Sequence, residues 1–349
     1  LINFADRLKV AIDEKQNPTC VGLDPRLSMI PEHIRDDAVA KYGNTPEAVV
    51  NAFLTFNEAI IDAVADVVPA VKPQMAFYEK YGATGVQCFQ DTVRYAKDSG
   101  LLVIEDAKRN DIGSTAQAYA DGHLGRVELC DGSRIPMFDV GMLTVNPYLG
   151  IDGVKPFIEA AREYGKGIFL LDKTSNPSAG DLQDKIVTPE EWQMELIRRN
   201  LEGTGVSLDD LPQEIEEGRI PNFVLMATLI DKWGKDLVGE GGYSPIGAVV
   251  GATYPAEARV LRKVMPHAWF LVPGYGAQGG GGKDTLPCFC EDGYGGIVNS
   301  SRGITAAYQR DPWKNQYIPE QFADAARASA LAMKDDIVNA MKEEGISPW

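Results

Sequence analysis

Asp106 and Lys108 lie two residues apart, directly after an apolar run at residues 101–104 that follows a Ser99-Gly100 turn. Four apolar residues after a turn read as a buried strand. Alternate strand residues point the same way, so the carboxylate and the ammonium would share a face. Such a pair is costly at a buried strand end unless it is neutralised or used. The plain alternative is a strand-end salt bridge, which is common. Other strand ends tip the balance. The run at 19–23 ends in Asp24, the run at 67–71 ends in Lys72, and Asp111 follows Lys108 at a distance of three residues. Further along, a glycine-rich stretch at 274–282, containing Gln278 and Gly279, precedes Arg302. Glycines let backbone amides approach an anion, and a guanidinium matches a phosphate. A glycine run alone could be a linker; with Arg302 in the next loop it points to a phosphorylated ligand.

The elements that must position these residues alternate along the chain. Apolar runs at 19–23, 67–71, 101–104, 142–146, 168–171, 246–250, 269–272 and 296–299 read as strands. Between them lie helical patterns, among them 3–15, a segment begun by Thr45 and Pro46, 83–98, a segment from Thr115 to about Ala120, 222–233 and 255–264, with 319–344 at the end. Asp152 is a candidate cap for the helix after the fourth strand, and Gly165 a candidate stop. Eight strand–helix units predict an α/β fold, a single TIM (β/α)8 barrel spanning 1–349, rather than an open doubly wound sheet. Two segments break the rhythm: 121–140, with an Asp131-Gly132 turn, predicts an inserted hairpin, and 187–221 an inserted helical segment. In such a barrel the C-terminal strand ends share one mouth, so Asp24, Lys72, Asp106 and Lys108 would converge, and the loops after the seventh and eighth strands would hold phosphate.

Composition narrows the partners. Lys and Arg number 34 and Asp and Glu 50, a net charge of −16, which argues against nucleic acid and anionic membranes but not against a small anion in a local basic pocket. No apolar run reaches membrane-spanning length, and the first eight residues are amphipathic rather than signal-like. Five scattered cysteines fit reduced thiols in the cytoplasm. Cys288 and Cys290 lack the spacing of a zinc knuckle, and His33, His123 and His267 stand apart in polar or loop-like contexts, so no metal site is expected.

Asp106-x-Lys108-x-x-Asp111-Ile112-x-x-Thr115 resembles the signature of the orotidine 5'-phosphate decarboxylase family. Asp24 in Val-Gly-Leu-Asp-Pro, Lys72, Ser175 in Thr-Ser-Asn-Pro-Ser, Gln278 in Gly-Ala-Gln-Gly-Gly and Arg302 are similar to the same family, and the Thr-Ser-Asn-Pro-Ser loop resembles its longer bacterial branch. The resemblance runs from residue 21 to 303. It implies cofactor-free decarboxylation of orotidine 5'-phosphate to uridine 5'-phosphate, the last step of de novo UMP synthesis, without a metal. It further implies that Lys108 protonates C6, Asp106 holds Lys108 beside the substrate carboxylate, and Lys72 completes a Lys72–Asp106–Lys108–Asp111 row. Asp24 and Thr115 would bind ribose, Ser175 the pyrimidine edge, Pro273 would pack near the base, and Gln278, Gly279 and Arg302 would hold phosphate. The active unit implied is a homodimer in which Asp111, Ile112 and Thr115 reach the neighbouring site. The loops at 174–185 and 274–282 are expected to close over substrate.

Three other readings compete. A magnesium-dependent relative acting on a sugar-phosphate enediolate would need an acidic ligand where Lys72 stands, and a lysine repels Mg²⁺. A non-catalytic nucleotide-binding barrel has no need of Lys108. A Schiff-base aldolase calls for a desolvated lysine rather than one flanked by carboxylates.

Overall fold

The computed structural model describes residues 2–276 and 280–349. Eight strands form the centre: β1 (Thr19–Leu23), β2 (Ala70–Pro73), β3 (Leu102–Arg109), β4 (Met142–Val145), β5 (Gly167–Lys173), β6 (Ser244–Val250), β7 (Ala268–Val272) and β8 (Gly296–Ser300). They pair in parallel and close into a barrel, β1 lying between β2 and β8. This is the TIM barrel expected from the alternation. Outward-facing Val21, Val71, Val103, Leu143, Leu170, Ala248, Phe270 and Val298 are buried under the surrounding helices, which makes both faces of the strands apolar.

The inward face changes character within two residues. Cys20, Ala70, Ile104, Met142, Phe169, Trp269 and Ile297 pack with Phe4, Ala5, Leu8 and Ile12 of the helix Phe4–Lys15, which plugs the N-terminal end of the barrel. One alternation further on stand Gly22, Lys72, Asp106, Thr144 and Asn299. The strand period thus sets a dry floor beneath a polar mouth.

Helix ends follow the local chemistry. Thr45 caps the helix Pro46–Val64 by accepting from the Ala48 amide at 3.3 Å, and Gly165 ends Ile151–Tyr164 in the left-handed region. Asp152 is not the cap of that helix: Gly150 holds the position, and Asp152 sits in the first turn, where its charge favours the positive helix end. The helix expected to follow Thr115 begins earlier and runs further, over Gly113–His123, so Thr115 lies in its first turn. The helix Glu32–Tyr42 has only two buried residues, Ile34 and Ala38, and that weak apolar pattern hid it from a sequence reading.

Both insertions are built as expected. Val127–Glu128 pairs antiparallel with Arg134–Ile135 around a turn tied by Asp131, which accepts from the Ser133 amide at 3.0 Å. The second insertion is closed at its base by Ile186–Val187 pairing with Ile220–Pro221, and carries the helix Glu191–Leu201. No helix among the described residues is long and apolar enough to cross a membrane.

Candidate active site

The charged cluster forms; alternation places Lys72 and Asp106, but not Lys108. The pairing of β3 with β4 slips: Glu105 lies opposite Leu143 and Arg109 opposite Val145, so four steps on β3 match two on β4. Within this bulge Lys108 adopts φ +50°, a left-handed conformation that costs a residue with a Cβ about 1–2 kcal/mol. The bulge turns Lys108 back over Asp106. Lys108 Nζ meets Asp106 Oδ1 at 2.6 Å, and Lys72 Nζ, from the neighbouring strand, meets Asp106 Oδ2 at 3.0 Å. Thr144 on β4 completes the arrangement. Its hydroxyl donates to Asp106 Oδ1 at 2.9 Å and accepts from the Lys108 amide at 2.9 Å.

Burial alone would disfavour the charge on both Lys72 and Asp106. For Asp106 it is outweighed by the two ammonium groups, which hold the carboxyl well below the usual carboxylate range. For Lys72 it is outweighed by Asp106 and Asp24, which push the ammonium above the usual lysine range. The result is a buried lysine and aspartate both kept ionised, with Lys108, nearly half exposed, reaching from the pair toward the mouth.

The opposite side of the mouth is open. Asp24, Gly274 and the stretch from Asn299 to Arg302 line one cavity of about 850 Å³, which brings the ends of β1, β7 and β8 together. Gly22 permits this approach: a Cβ there would lie 1.9 Å from the Ser301 hydroxyl. Asp24 Oδ1 is buried and accepts no hydrogen bond among the described residues. Pro273 closes β7 half-buried, its carbonyl accepting from the Ala252 amide at 3.0 Å. Gln278 and Gly279 lie outside the described residues. The expectation that the neighbouring glycine amides are free for an anion needs correction. The Gly276 amide donates to the Gly280 carbonyl at 3.0 Å, Gly281 to Asp284 at 2.8 Å, and Gly282 to Asp336 at 2.7 Å. These bonds engage the amides of Gly276, Gly281 and Gly282, while the guanidinium-bearing residues Arg26, Arg302 and Arg310 line the cavity.

Ser175, just beyond β5, lies so close to Gly251 that a Cβ there would meet the Ser175 Cβ at 2.9 Å. Its loop is held by Gln183, which accepts from the Thr174 amide at 3.0 Å and donates to the Thr174 hydroxyl at 2.8 Å. The next residue, Asp184, pairs with buried Lys173 and accepts from Gln213 at 3.4 Å. The second insertion therefore buttresses the Ser175 loop. Asp111, Ile112 and Thr115 follow the end of β3: Asp111 accepts from the Ile112 amide at 2.8 Å and joins no ion pair among the described residues, while Ile112 is 52% exposed. Three of the four charges expected in a row are linked within one chain.

Two features escaped the sequence reading. Thr144 was visible as the one hydroxyl in the strand Met142–Val145, a polar residue with a burial to justify. His123 is not in a polar or loop-like setting: it is buried, and its Nδ1 meets Glu105 Oε2 at 2.8 Å. Glu105, fully buried in β3, was the available signal, since such a carboxylate needs a partner.

Comparison with known proteins agrees with this geometry. A Rhodopirellula baltica orotidine 5'-phosphate decarboxylase is 40% identical over 337 residues, covering 97% of this chain and 99% of its own length. The Caldicellulosiruptor saccharolyticus enzyme of the same name is 34% identical, with 97% and 98% covered. The crystal structure of a Streptomyces avermitilis protein assigned to the same activity has a TM-score of 0.68 at 29% identity, covering 98% of this chain and 97% of that one. The model of the orotidine 5'-phosphate decarboxylase / HUMPS family matches residues 18–314, and the chain belongs to that family.

Proposed function

We propose that the chain decarboxylates orotidine 5'-phosphate to uridine 5'-phosphate and carbon dioxide, the step that yields UMP in pyrimidine synthesis, with Lys108 as the proton donor. The observation that carries this reading is the buried Lys72–Asp106–Lys108 network facing a mouth whose other side holds Asp24 and Arg302. Cleavage of the C6–carboxylate bond releases carbon dioxide and leaves the electron pair on C6, where no adjacent group delocalises it. The required reduction in barrier is about 20 kcal/mol or more, near the upper end of enzymatic rate enhancement. An ammonium held beside C6 stabilises the growing negative charge and then transfers its proton there. Solvent returns the proton to Lys108. Asp106 is already ionised and hydrogen-bonded by three groups, so its position costs little reorganisation during the reaction. It serves to hold Lys108 and Lys72.

Asp24, with a buried acceptor oxygen, and Lys72 bind ribose hydroxyls. Ser175 reads the pyrimidine edge and Pro273 borders the base. Arg302, with Gln278 and Gly279, takes the phosphate. Binding energy from that end is used to orient C6 against Lys108. No cofactor or metal enters these steps. The active unit is a homodimer in which Asp111, Ile112 and Thr115 complete the neighbouring site; the exposure of Ile112, and an Asp111 that joins no ion pair among the described residues, support this. The enzyme is cytoplasmic, which its five unpaired cysteines suit.

Loss of the orotate absorbance on incubation with orotidine 5'-phosphate and EDTA tests the reaction. Turnover indifferent to EDTA is expected; turnover abolished by EDTA would favour the magnesium-dependent relatives. For the shared site, mixing Asp111→Ala with Lys108→Ala subunits should restore activity in the heterodimer. A verified heterodimer without activity would sink that part of the reading.

A further inference from the structure

The mechanism makes no use of Glu105, although it precedes Asp106 and is fully buried. A buried carboxylate opposite a histidine is often only a means of satisfying both groups. Here the connections go further. His123 Nδ1 meets Glu105 Oε2 at 2.8 Å, and Arg109 Nε donates to His123 Nε2 at 3.4 Å. A neutral imidazole has one donor and one acceptor nitrogen, so only the tautomer with its proton on Nδ1 serves both contacts. Arg109 is also held from outside, by Glu79 at 3.2 Å and by the ring of Tyr119 at 5.5 Å. His123 in turn stacks on Phe138, at 4.7 Å between ring centres, where the first insertion returns to the barrel.

The two residues that His123 joins are the two that bound the bulge. Pairing with β4 is regular at Glu105 and resumes at Arg109; between them lie Asp106, Ala107 and left-handed Lys108. An extra length of strand has several ways to bend. Tying its two ends to one rigid ring at the end of the helix Gly113–His123 leaves it few.

We propose that Glu105, His123 and Arg109 form a clamp across the base of the bulge that positions Lys108 for proton transfer. They are positioning residues that act through Lys108 and touch no substrate. The inference rests on Lys108 being the donor, and the test separates the two. Asp24 and Arg302, which take ribose and phosphate, stand just after β1 and β8, away from the clamp, and Lys72, on β2, is fixed by Asp106, so loosening the clamp should impair chemistry and largely spare product binding.

The experiment compares wild type, Lys108→Ala, Arg109→Met, Glu105→Gln and the double variant Glu105→Leu/His123→Phe, in which apolar replacement avoids stranding a buried charge. Arg109→Met and the double variant should lose about 10- to 100-fold in kcat, the scale on which small misplacements of reacting groups act. KM and the affinity for UMP should stay within about twofold, since uniform binding is untouched. Glu105→Gln keeps an oxygen that accepts from Nδ1–H and should retain kcat to within about threefold. Wild-type kcat in Arg109→Met overturns the clamp, as does a kcat loss matched by an equal loss of UMP affinity. If the double variant does not fold, Arg109→Met and Glu105→Gln decide the matter. A Lys108→Ala protein with wild-type rate would instead remove the donor assignment on which the clamp depends.

Discussion

The two sides of the barrel mouth are finished to different degrees. On the β2–β4 side, Lys72, Asp106, Lys108 and Thr144 satisfy one another, and the central carboxylate is buried and ionised. On the β1, β7 and β8 side, the cavity is open, Asp24 has an unsatisfied oxygen, and Arg302 has no carboxylate partner among the described residues. Groups that act on a transition state gain by being fixed before substrate arrives, because reorganisation during the reaction is avoided. Groups that recognise a phosphate gain by remaining available for it, and their binding energy can then assemble the site. Within one ring of strands, the interior hydrogen bonds separate the two tasks.

Lys108→Ala acts on the preassembled side alone. It should lower kcat by about 10³-fold or more, since it removes both the charge and the proposed proton donor, with UMP affinity within a few-fold of wild type by equilibrium binding. An equal loss in both would show that the two sides are not separate. Arg302→Ala should do the reverse. Losing the proposed charge-assisted phosphate contact, worth about 2–3 kcal/mol, should cut kcat/KM and UMP affinity by roughly 30- to 150-fold; unchanged UMP binding would place the phosphate elsewhere.

Gly22→Ala tests the seam between the sides. Its Cβ would meet the Ser301 hydroxyl, so β1 and β8 must part, at a cost of about 1–3 kcal/mol in denaturant unfolding. Stability at the wild-type level would show that the seam between β1 and β8 is looser than this contact requires. The smallest effect concerns pH. Because the folded pKa of Asp106 lies below its ordinary 3.8, the unfolded chain takes up that proton first on acidification. The stability contributed by Asp106 is thus present above pH 3.8 and lost as pH falls toward its depressed value. The stability difference between wild type and Asp106→Asn should therefore narrow on acidification. A gap that stayed constant from neutral pH to acid would contradict the ionised, doubly paired carboxylate.

Much of this was legible in the order of residue types. The eight apolar runs, the helical spacings between them and the charged strand ends determine a barrel with Asp24, Lys72, Asp106 and Lys108 at one mouth, because strand period and burial are local properties of the chain. The two insertions were legible for the same reason, as breaks in that rhythm. Tertiary structure alone decided how the charges meet. A bulge depends on the register between β3 and β4, which no local pattern encodes, and it is the bulge that turns Lys108 onto Asp106. Long-range packing likewise joined Glu105 to His123, eighteen positions apart, and took the amide of Gly282 for Asp336. The sequence by itself determined which groups stand at the mouth; only the closed barrel, by bringing distant strands into one register, decided which of them are already engaged and which remain open to a ligand.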